Sequence, residues 1–83
     1  MEEEQRRAKL ASLEHCRQQA EKAYDDMYEA HSFGGASTCY TDTKDFLYEA
    51  ISLAKELGMA EEAKSLEDRL DHIKAVFRSQ FVQ

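Results

Sequence analysis

Apolar residues recur along this chain in three blocks, each with the spacing of a helix that buries one face. Phe46, Leu47, Ala50, Ile51, Ala54 and Leu57 form the middle block. Ala63, Leu66, Leu70, Ile73, Phe77 and Phe81 form the last, stepping by three or four residues each time. The first block is Leu10, Leu13, Cys16, Ala20, Ala23, Tyr24, Met27 and Ala30. Several of its members are small, so a partner helix can come close. Between the middle and last blocks, Gly58 can take the left-handed backbone that closes a helix at no steric cost. Glu61 and Glu62 open the last block, and Lys74 and Arg78 close it, which complements the helix dipole at both ends.

The pattern predicts an all-α fold, a small three-helix bundle with helices at about 5–31, 40–57 and 60–81 in one domain spanning 1–83. Residues 1–9 lack an apolar face and read as a fraying helix start. The run Ser32-Phe33-Gly34-Gly35-Ala36-Ser37-Thr38 reads as a loop over 32–38. Ser37, Thr38, Thr41 or Asp42 would then cap the second helix. Short connections make sequential helices antiparallel, up-down-up. At 1.5 Å per residue the first and third blocks are ~33 and ~35 Å long, so the first helix is expected to lie along the third.

Size and charge narrow the function classes. A chain of 83 residues buries only about 60–65% of its unfolded surface, and that core is needed for folding rather than for an enzyme cavity. No nucleophile, base and orienting group can be named, so the expectation is a non-enzyme. The net charge of −6 is spread along the chain, which disfavours nucleic-acid binding. No apolar run approaches the ~20 residues of a membrane span. The start Met1-Glu2-Glu3-Glu4 is unlike a secretory signal, and two cysteines without one point to reduced thiols in the cytoplasm. Cys16 would lie ~22 Å from Cys39 along the first helix, too far for a disulfide.

Tyr48-Glu49-Ala50, Leu53-Ala54, Leu57-Gly58, Glu62-Ala63 and Leu66 resemble the turn between successive tetratricopeptide repeats, within residues 46–77. The resemblance implies a helical-hairpin scaffold of the kind that binds peptides or other proteins.

Antiparallel helices gather chemistry that is scattered along the chain. The end of the first helix, the start of the second and the end of the third meet at one pole. Tyr24, Tyr28, Phe33, Tyr40, Phe46, Tyr48, Phe77 and Phe81 are all assigned to it. These rings either fill the wider space under the loop or present a partner-binding surface, with Tyr24, Tyr28, Phe33, Tyr40 and Tyr48 as the contact candidates. The reading is therefore a protein-interaction or adaptor module for an unidentified protein partner, with a homodimer as one form of it. The alternative is a ligand-, metal- or redox-sensing domain using the 31–42 region, where His31 and Cys39 flank the loop near Asp42. His15, His31, His72, Cys16 and Cys39 lack the short paired spacings of a zinc site, so neither metal nor cofactor is expected. The glycine pair lacks the lysine and spacing of a phosphate-binding loop.

Overall fold

The computed structural model describes residues 2–81 and consists of three helices, α1 (Glu3–Glu29), α2 (Phe33–Glu56) and α3 (Ala60–Phe81). Among the described residues there is no strand. The all-α three-helix bundle predicted from the apolar spacing is the fold observed. Its long axis extends 47 Å against 19 and 13 Å across.

The turn between α2 and α3 follows from one residue. Gly58 has φ 73°, a backbone that side chains with a Cβ rarely adopt. Its N–H donates to the Lys55 carbonyl at 3.1 Å, and the Met59 N–H donates to the Ala54 carbonyl at 2.8 Å. This pair of bonds is a Schellman closure, and half-buried Met59 folds back on the core beside it.

The connection between α1 and α2 differs from the expected loop over 32–38. Only Ala30, His31 and Ser32 separate the two helices, and Phe33 to Thr38 are already helical. Ser32 is the cap: its Oγ accepts from the Gly35 N–H at 3.1 Å. Both glycines keep negative-φ helical backbone, because the chain can turn before them rather than at them. A Cβ on Gly35 would lie 3.4 Å from Ala30 Cβ and from Ser32 Oγ, so glycine lets α2 start tight against the end of α1. The other capping candidates lie inside the helix, where Thr38 Oγ1 donates to the Gly34 carbonyl. At the N-terminus, Glu3 to Lys9 are helical with side chains largely in solvent.

Leu13, Cys16 and Ala20 of α1, Leu47, Ala50, Ile51 and Ala54 of α2, and Leu66, Leu70 and Ile73 of α3 build the main core. Ala20, Ala50 and Ala54 are fully buried, and their small side chains let α1 run close along α2. The closest packing of α1 is thus with α2, a preference that the matched lengths of the first and third blocks do not single out. α3 stands further from α1, and long side chains bridge the two, with Arg17 on Glu62 and Arg69 on Glu21. The buried Thr43 hydroxyl is satisfied within its own helix, donating to the Cys39 carbonyl at 2.8 Å. Cys16 and Cys39 are both free thiols. Burial, and then the charge of Glu49, pushes the Cys16 thiol pKa up, which makes it an inert core residue.

Candidate functional site

Three helix ends converge on a second, smaller core of Met27, Ala36 and Phe77. Around it the rings form a connected set. Tyr40 stacks on Phe77 with centroids 3.9 Å apart and planes within 2°. Phe77 stacks on Phe81 at 5.5 Å and meets Phe33 at 6.1 Å. Tyr28 approaches Phe81 at 5.8 Å and Tyr24 at 5.3 Å, both edge-on. Six of the eight aromatic rings are thus linked across α1, α2 and α3.

These rings divide by exposure. Phe77 is buried, and Tyr40 lies half-buried between Phe77 and the Lys44 ammonium, 4.4 Å from its ring centre. Tyr24 is half-buried, with its hydroxyl 3.1 Å from that of Tyr28 and the Arg69 guanidinium 5.0 Å from its ring. Burial first, and the hydrogen bond to Tyr28 second, push the Tyr24 pKa up to about 12. Tyr28 and Phe33 face outward, 47% and 57% exposed.

Two rings assigned to this end lie elsewhere. Because α2 begins at Phe33 and not near residue 40, Tyr48 sits about 22 Å down the helix from Phe33. It is 51% exposed, packs under Lys74 at 5.5 Å, and borders Asp45, Glu49 and Ser52. Phe46 packs on the main core. The geometry therefore joins Tyr24, Tyr28, Phe33 and Tyr40 and separates Tyr48 from them.

Charge at this end is uneven. The final turns of α1 carry Asp25, Asp26 and Glu29, and the last turn has no basic residue. By contrast α2 has Lys55 and α3 has Arg78 in the last turn, the sign that suits a helix C-terminus. Lys22 pairs with Asp26, and Arg69 grips both carboxylate oxygens of Glu21 at 2.7 and 3.1 Å. That last pair spans forty-eight positions and one side of the groove between α1 and α3, whose floor is Leu47 and Leu66. No periodicity signals it: Glu21 and Arg69 both read as ordinary surface charges.

His31 is exposed in the α1–α2 connection, and Cys39 is half-buried against the small core. No cluster of three or more His, Cys, Asp or Glu side chains among the described residues is placed to hold a metal ion. Of the 31–42 region, His31 and Ser32 lie in the connection, and Phe33 to Asp42 form the first turns of α2. Among the described residues no helix is long and apolar enough to cross a membrane. Comparison with protein-family models, with curated proteins and with solved structures finds no match to this chain.

Proposed function

We propose that this chain is a small helical protein-interaction module, and that it engages a protein partner through Tyr28 and Phe33. The observation that carries this reading is the exposure of two large aromatic side chains on one end whose core is already filled by Met27, Ala36 and Phe77. Exposed aromatic rings held by a rigid scaffold bring large apolar area to an interface at small entropic cost. Tyr24 and Tyr40 act as support beneath them rather than as contacts. A reducing, cytoplasmic setting suits a chain whose two cysteines remain thiols.

Affinity capture from the source cells, with wild-type chain and with Tyr28→Ser and Phe33→Ser as bait, tests the reading. Each variant should unfold within about 4–8 °C of wild type, equivalent to ~1 kcal/mol for a domain of this size. A partner retained by wild type should be lost by both folded variants. Sedimentation velocity on the same samples reports whether the partner is a second copy. Identical capture by all three baits would remove the aromatic end from the interface.

A further inference from the structure

The partner's chemistry can be read from what this end lacks. Of the four tyrosines, three already have a cation of their own chain against the ring: Arg69 at Tyr24, Lys44 at Tyr40 and Lys74 at Tyr48, at 5.0, 4.4 and 5.5 Å. Tyr28 has none among the described residues, although it is 47% exposed. It shares with Tyr24 and Tyr48 an acidic residue three positions before it and another directly after it. Of these three acid-flanked rings it alone lacks a cation of its own chain among the described residues. Asp25 lies one turn before it and Glu29 directly follows it, and both are exposed. Neither forms a salt bridge among the described residues.

The helix itself adds to this field. The C-terminus of α1 presents unpaired carbonyls equivalent to about half a negative charge. Asp26 and Glu29 in its final turn repel that charge where α2 and α3 each supply a cation. Two of the nearby positive groups are paired within the chain: Glu21 holds Arg69 and Asp26 holds Lys22. Arg78, in the last turn of α3, has no cation–π contact with Tyr28 among the described residues. The exposed carboxylates that keep no ion pair here, Asp25 and Glu29, are where a partner's contribution is expected.

We infer that this end docks a lysine- or arginine-bearing segment of a protein partner, with the cation against the Tyr28 ring between Asp25 and Glu29 and apolar side chains against Phe33. The inference rests on the reading of the aromatic end as the interface. A cation over an aromatic face gains about 0.5–2 kcal/mol, more as water is excluded, and flanking carboxylates add charge-assisted hydrogen bonds. A second copy fits less well. Two such ends in contact would bring Asp25, Asp26 and Glu29 of both chains together, in a protein of net charge −6.

Amide NMR spectra of the full chain, titrated with short peptides of equal apolar content and stepped net charge, test this directly. Basic peptides should shift the resonances of residues 25–33 and 77–81, with affinity rising with charge and falling with added salt. Replacing each arginine with neutral, isosteric citrulline should weaken binding several-fold. Tyr28→Ser and the double variant Asp25→Asn, Glu29→Gln should do the same, while Tyr28→Phe, which keeps the ring, should bind as wild type. The spectra themselves report that each variant is folded. Equal binding of arginine and citrulline peptides would overturn the cation and leave an apolar interface standing. Binding of none of the peptides would overturn the basic partner class, while the capture experiment above still decides whether the aromatic end is an interface. Binding unaffected by Tyr28→Ser would overturn the assigned position.

Discussion

Tyr24 is the residue in which the two roles of the aromatic end meet. Its ring is part of the support, and its hydroxyl is tied to the exposed Tyr28 at 3.1 Å. Its pKa of about 12 lies above the ordinary 10.0, so the folded state holds the phenolic proton where the unfolded chain releases it. That contribution to stability is complete below pH 10 and is lost as pH rises from there toward 12. Tyrosinate absorbance during a base titration should show the late titration of Tyr24. In Tyr28→Phe its midpoint should fall part of the way back, because burial, the larger cause, remains. A midpoint unmoved by that substitution would mean the hydroxyl pair does not form in solution.

At the scale of the elements, two glycine sites that look alike as letters have opposite conformations. Gly58 is left-handed and open to solvent, so Gly58→Ala should cost about 1–2 kcal/mol through backbone strain alone. Gly34 is helical, and a Cβ there would meet only Ser32 Oγ at 3.9 Å. Gly34→Ala should therefore stabilise by about 0.4–1 kcal/mol. Denaturant unfolding of both variants checks the signs, and destabilisation by Gly34→Ala would restore a loop at 32–38. This contrast also explains how much was legible in the sequence. The seam from Ala63 to Phe77 and the closure at Gly58 could be read because period and breaker agree there. The start of α2 could not, because a glycine pair signals a turn whereas here Ser32 turns first and Gly35 serves close packing against Ala30. That seven-residue difference in the start of α2 moved Tyr48 and Phe46 away from the end to which antiparallel topology had assigned them. The gathering of Tyr24, Tyr28, Phe33 and Tyr40 survived it, since those four lie close to the α1–α2 connection. Their sorting into support and surface depended on contacts with Phe77, which spacing does not encode.

For the whole molecule, the account is a bundle with one end divided between core and surface. The long, narrow shape leaves that end connected to the main core through Tyr24 and Tyr40, which pack against both, so an outward ring can be removed without opening the main core. The most direct measurement is the unfolding free energy of Phe33→Ala beside that of Phe77→Ala, two identical substitutions on touching rings. Phe77 is 7% exposed, and its loss should cost about 3–5 kcal/mol as a core cavity opens. Phe33 is 57% exposed, and its loss should cost about 1 kcal/mol or less. Equal, large losses at both positions would show that Phe33 belongs to the core and would contradict the division on which the proposed interface depends.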